Sequence, residues 1–284
     1  MQGGQLILHS TNKCNSMPTE LKSDRFAKCV YTKSGQGFPI ILLHGFAEDH
    51  HIWKYQLAAL KTNYTVIVPD LPGSGLSPLP KEEMSIELFA DFVFDIIQQE
   101  QLEKIILIGH SMGGYATLAF AEKYESYLAA FSLVHSSAYD DDDAKKINRQ
   151  KTIKLIQNNG KEVFLNAMIP NLYSDLSKKT LQSEMNEHLA NALKISADSL
   201  QAYYTAMIHR PSKISVLENT SLPVQFIIGT DDNAVPFSQS LQQAAIAKIA
   251  KVDILRHVGH SGMVESPTLL NAMLNSFLKY ALKL

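Results

Sequence analysis

Ser111 sits in Gly109-His110-Ser111-Met112-Gly113-Gly114, with glycine two positions to either side. A serine hydroxyl attacks a carbonyl well only when a base takes its proton. That base is usually a histidine, and a carboxylate must hold the histidine in place. Two later segments offer those groups. One is Gly229-Thr230-Asp231-Asp232-Asn233-Ala234-Val235-Pro236. The other is Gly259-His260-Ser261-Gly262-Met263-Val264-Glu265-Ser266-Pro267. The chain order is therefore serine, acid, histidine, which are the parts of an acyl-transfer site.

These residues need elements that bring them together. Apolar runs of strand length occur at 39–43, 64–68, 104–108, 128–134, 224–228 and 252–255, each bounded by glycine, proline or polar residues. Continuous apolar runs predict strands buried on both faces. Residues 27–32 and 5–9 read as further strands at the edge. Phe89, Phe92, Val93, Ile96 and Ile97 recur at helical spacing, as do Leu270, Met273, Leu274, Phe277 and Leu278. Alternating strand and helix predicts an α/β fold with a mostly parallel, doubly wound sheet. Ser111, the aspartates and His260 each follow a strand, at the edge where ligands bind in such sheets.

The stretch from 135 to 222 shows no strand pattern. It reads as helices at 144–157, 161–168, 180–192 and 196–209, a helical cap inserted between two late strands. The predicted divisions are an unassigned segment 1–25, a core of 26–138 and 214–284, and a cap of 139–213. Asp140 to Asp143 would open the first cap helix, where carboxylates suit the positive helix end. Four consecutive acids cannot all face one metal ion.

The chain resembles the capped serine hydrolases of the α/β-hydrolase fold. The resemblance runs from about residue 26 to the C-terminus. It rests on His44-Gly45-Phe46, Asp70-Leu71-Pro72-Gly73-Ser74-Gly75-Leu76-Ser77, the Ser111 turn, the Asp232 loop and the His260 loop. It implies Ser111 as nucleophile on a strand-to-helix elbow and His260 as base. It further implies an oxyanion hole from the backbone N–H groups of Phe46 and Met112. The family's spacing from glycine to acid to proline points to Asp232 over Asp231. The implied activity is hydrolysis of a small carboxylic ester or related acyl compound. A C–C bond hydrolase or a lactonase would use the same groups, and a non-catalytic ligand-binding protein is a third reading.

Other side chains carry two readings. His44 and His110 flank the site and either scaffold its turns or touch substrate. His135 ends a strand and either packs in the core or meets substrate. Tyr173 and Tyr204, with Phe164, Met168, Leu172, Tyr203 and Met207, either pack the cap or line its pocket. His50 and His51 could ligate a metal, but no third ligand is spaced nearby, so none is expected. Arg149, Lys151 and Lys154 read as a solvated face. Asp70 to Gly75 lacks the Lys-Ser/Thr of a phosphate loop. No cofactor motif appears.

Composition sets the remaining bounds. The 284 residues are 45% hydrophobic and 19% charged, a globular balance. Lys and Arg number 26 against 28 Asp and Glu, for a net charge of −2. That leaves no basic footprint for nucleic acid or an anionic membrane. Apolar runs are far shorter than the roughly 20 residues of a membrane helix. With Cys14 and Cys29 read as free thiols and no leader pattern, the expectation is a cytoplasmic protein acting on a small molecule.

Overall fold

A computed structural model describes residues 17–283. The strand expected at 5–9 and Cys14 lie outside the described residues. Among the described residues, eight strands form one sheet in the order β1-β2-β4-β3-β5-β6-β7-β8. They are β1 (Thr19–Glu20), β2 (Val30–Ser34), β3 (Pro39–Leu43), β4 (Thr65–Pro69), β5 (Ile105–His110), β6 (Leu128–Val134), β7 (Val224–Gly229) and β8 (Ala250–Leu255). The pairs β1–β2 and β2–β4 are antiparallel, and all others are parallel. Strands β5, near the middle of the sheet, and β7, next to the edge strand β8, are buried along their whole length. β8 alternates exposed and half-buried positions, as an edge strand does. β2 starts later than the expected 27–32, because Lys28 takes φ +65, which a strand does not accommodate.

Helices α1 (Lys54–Leu60), α2 (Ile86–Gln99) and α3 (Met112–Tyr124) lie between the early strands. Six helices separate β6 from β7: α4 (Asp143–Asn159), α5 (Lys161–Asn171), α6 (Asp175–Thr180), α7 (Gln182–Ala192), α8 (Ala197–His209) and α9 (Ile214–Asn219). Then follow α10 (Phe237–Ala244), α11 (Gly262–Glu265) and α12 (Pro267–Ala281). Against the sheet, α2, α3 and α9 form one packed group and α1, α11 and α12 another. α2 buries Phe89, Phe92, Val93, Ile96 and Ile97, the stripe seen in the sequence. Ser85 caps it by accepting from the Leu88 N–H at 3.0 Å.

The helices between β6 and β7 are tied to the sheet domain by aromatic packing. Phe46 stacks on Tyr204 of α8 with ring centroids 4.3 Å apart, and Phe164 of α5 meets both edge-on. Tyr203 donates its hydroxyl to the Pro72 carbonyl at 2.8 Å. No helix among the described residues is long and apolar enough to cross a membrane.

Candidate active site

Ser111 is the single residue between β5 and α3, with φ +50 and ψ −114. A non-glycine residue in that region costs roughly 1–3 kcal/mol, so the surroundings must enforce it. They do so by close packing of strand against helix. A Cβ on Gly109 would stand 2.2 Å from the Gly113 carbonyl oxygen. One on Gly113 would stand 2.5 Å from the Leu43 carbonyl oxygen. Only glycine lets β3, β5 and α3 approach this closely. The Ser136 hydroxyl donates to the Ser111 carbonyl at 2.7 Å and fixes the turn from the other side. Met112 is the first residue of α3, so its N–H has no partner within the helix and sits at the positive helix end.

Asp232 follows β7 and His260 follows β8. The His260 Nδ1 lies 2.9 Å from Asp232 Oδ2 and 3.1 Å from Oδ1. Asp232 Oδ1 also accepts from the backbone N–H groups of Ala234 and Val235, at 2.8 and 2.9 Å. Asp231 is exposed and bonded to the Thr230 hydroxyl instead. Burial opposes the charge on Asp232, but the His260 and His135 imidazoles hold its carboxyl far below the usual range. Burial likewise disfavours a charged His260, and the Asp232 carboxylate outweighs it, raising the pKa of the ring. The His260 loop is fastened by Glu265, whose carboxylate accepts from the N–H groups of Ser174, Gly259 and Ser261 at 2.9 to 3.1 Å.

A cavity of about 290 Å³ is lined by both Ser111 and His260. Its lining includes Phe46, His110, Tyr115, Met168, Leu172, Tyr204, Met207 and Val235. Of the residues singled out in the sequence as site or pocket candidates, the structure places Phe46, His110, Ser111, Met168, Leu172, Tyr204, Met207 and His260 on this lining. Three substrate-contact expectations need correction. His44 is fully buried, and its Nε2 accepts from the Leu71 N–H at 2.9 Å, which makes it scaffold for the turn. His135 is spent on Asp232, with Nδ1 3.2 Å from Oδ2. Tyr173 is fully buried, with its hydroxyl 3.1 Å from His188 Nδ1. None of these three lines the cavity. Arg149, read as part of a solvated face, is on the lining because α4 turns that face inward.

Glu48 is the site residue that sequence reasoning missed. It is buried and also lines the cavity. Its Oε2 accepts from the Gly45 N–H at 2.6 Å and lies 2.8 Å from His110 Nδ1. His110 Nε2 in turn meets the His260 carbonyl oxygen at 2.9 Å. Burial opposes ionisation of Glu48, yet His110 and His188 hold its pKa down at about 2. The only sequence signal was an acidic pair, Glu48-Asp49, just after the His-Gly-Phe turn.

Asp49 also stands with His50 and His51, ligating atoms within 4.8 Å of one another. The third donor judged absent from the sequence spacing is thus adjacent. Both rings are engaged, His50 Nδ1 with Asp70 at 2.7 Å and His51 Nδ1 with Asp49 at 3.0 Å.

A strained serine, an imidazole–carboxylate pair and a helix N-terminus around one cavity form the equipment of nucleophilic acyl chemistry. Residues 39–267 match the alpha/beta hydrolase fold family, and the chain belongs to it. Among similar proteins is the AB hydrolase superfamily protein YisY of Bacillus subtilis. It is 24% identical over 275 residues, spanning 90% of this chain and 97% of that protein. A thermophilic esterase from Thermogutta terrifontis, solved with malate bound, is 26% identical with a TM-score of 0.87. That match covers 93% of this chain and 98% of the esterase. The enol-lactonase of Burkholderia xenovorans LB400 shares the fold at 19% identity and TM-score 0.82, over 88% of this chain and 97% of the lactonase.

Proposed function

We propose that the protein is a serine hydrolase that cleaves a small carboxylic ester through an acyl-enzyme on Ser111. The observation that carries this is that His260, paired with Asp232, lines the same cavity as Ser111. Asp232 accepts the His260 Nδ1–H, which leaves Nε2 as the base. His260 takes the proton of the Ser111 hydroxyl as Oγ attacks the ester carbonyl. The Phe46 and Met112 N–H groups receive the oxyanion, each donor being worth about 3–4 kcal/mol of barrier. His260 then returns the proton to the leaving alcohol. A water deprotonated by His260 attacks the acyl group, and Ser111 is restored as the acid departs. Residues 139–213 act as the cap, supplying Arg149, Met168, Leu172, Tyr204 and Met207 to the specificity wall.

The esterase from Thermogutta terrifontis, similar along nearly its whole length, supports an ester substrate. The test is hydrolysis of 4-nitrophenyl butyrate by wild type and Ser111→Ala. Turnover in wild type that falls at least about 10³-fold in the variant is expected. Equal turnover in both would overturn the assignment of Ser111.

A further inference from the structure

One wall of the cavity has no part in the acyl chemistry. Lys145, Asn148, Arg149 and Thr152 recur at three- and four-residue steps along α4 and line the cavity together. All four carry polar groups, whereas Met168, Leu172, Met207 and Val235 elsewhere on the lining are apolar.

The positive charge at this wall exceeds the negative. Asp141 is buried and accepts from Arg149 Nε and, at 3.0 Å, from Arg210 Nη2. One carboxylate therefore serves two guanidiniums. Arg149 turns Nε and Nη2 to Asp141, which leaves Nη1 without a hydrogen-bond partner among the described residues. Its guanidinium rests over the Tyr204 ring, 5.2 Å from the centroid, and is held there as a fixed charge. The half-buried Lys145 ammonium makes no hydrogen bond or ion pair with any described residue. Arg210 is tied down by the Tyr139 carbonyl and by the face of Tyr115. The acid on the lining itself, Glu48, is committed at the catalytic end to Gly45 and His110. The cavity is thus polarised, with carboxylates beside His260 and cations on α4.

We propose that the α4 wall is an anion subsite, and that the preferred ester carries a free carboxylate away from its scissile bond, held by Lys145 and Arg149. Lys145 supplies a mobile point charge and Arg149 a preset one. The apolar side chains between them and Ser111 accept the connecting carbon chain. This rests on the ester-hydrolase reading and narrows it to half-esters of dicarboxylic acids and their like.

The test compares mono-4-nitrophenyl adipate with 4-nitrophenyl hexanoate, which differ in a terminal carboxylate. The expected ratio of kcat/KM, adipate over hexanoate, is about tenfold or more in wild type and shrinks with added salt. It falls at least about tenfold in Lys145→Glu. Arg149→Gln should lower it too, but that change also breaks the hydrogen bonds to Asp141, so Lys145, which reaches Asp141 only through space, gives the cleaner reading. A wild-type ratio of one or below, or a ratio unmoved by Lys145→Glu, would overturn the subsite while leaving the esterase reading intact. Turnover of neither ester, nor of 4-nitrophenyl butyrate, would overturn the esterase reading and the subsite with it.

Discussion

His135 Nδ1 lies 3.2 Å from Asp232 Oδ2, the same oxygen that sits 2.9 Å from His260 Nδ1. One carboxylate thus receives two imidazoles. His135 reaches it from the residue after β6, with φ +48. Burial pushes its pKa down, so the ring is neutral and donates its Nδ1–H. In that state His135 steadies the carboxylate without competing for a proton. A hydrogen bond to a charged group is worth about 1.5–3 kcal/mol. His135→Leu should therefore lower kcat for ester hydrolysis by about 10- to 100-fold and leave KM nearly unchanged, which steady-state kinetics resolves.

The neighbouring acids should separate sharply. Asp232→Asn leaves the loop in place but removes the charge and unsettles the His260 tautomer. A drop in kcat on the order of 10³–10⁴ is expected. Asp231 is exposed and points to Thr230, so Asp231→Asn should stay within about threefold of wild type. The reverse ranking would transfer the acid role to Asp231.

The pH profile carries a sign. Burial lowers the His260 pKa, and the Asp232 carboxylate raises it by more, to above the ordinary 6.5. The base works only when neutral, so kcat/KM should rise with pH through an inflection above 6.5. Asp232→Asn should move the residual inflection to lower pH. The same pair stabilises the fold fully below the unfolded histidine pKa, and that contribution is lost as pH rises through the folded value. A wild-type inflection at or below 6.5 would contradict this coupling.

Glu48 predicts the opposite pH window. Its carboxyl is held at about 2 against an ordinary 4.5, so its contribution to stability is complete above 4.5 and is lost as pH falls toward 2. The gap corresponds to about 3 kcal/mol. Glu48→Gln should lower Tm at pH 7 and flatten its decline between those two values, measured by thermal denaturation across pH.

The elbow tolerates no side chain at its glycines. Gly109→Ala puts a Cβ 2.2 Å from the Gly113 carbonyl oxygen, where strand and helix backbones must part. A loss of about 3 kcal/mol is expected from such overpacking, read as a lowered denaturation midpoint or as insoluble protein.

The sheet was readable because its strands are continuous apolar runs, and the Ser111 turn because its glycines are required within a few residues of it. Asp232 could be told from Asp231 by the distance to Gly229 and Pro236, all on one loop. The inward face of α4 could not be read this way. Its apolar content is sparse, only Ile156 of its residues is fully buried, and its orientation is set by α5 and α8. Arg149 therefore looked solvated. Glu48 was hidden for a related reason. A carboxylate is buried only where partners await it, and His110 and His188 come from elements distant in sequence. Tyr173 and Tyr204 look alike in sequence, yet one is buried against His188 of α7 and the other faces the cavity.

The most direct measurement is the intact mass of the protein after reaction with a fluorophosphonate ester, which phosphonylates an activated serine. Wild type should gain the mass of one phosphonyl group and lose ester hydrolysis in step, and Ser111→Ala should gain none. Labelling that persists in Ser111→Ala, or an unlabelled wild type that goes on hydrolysing esters, would contradict the acyl-enzyme at Ser111.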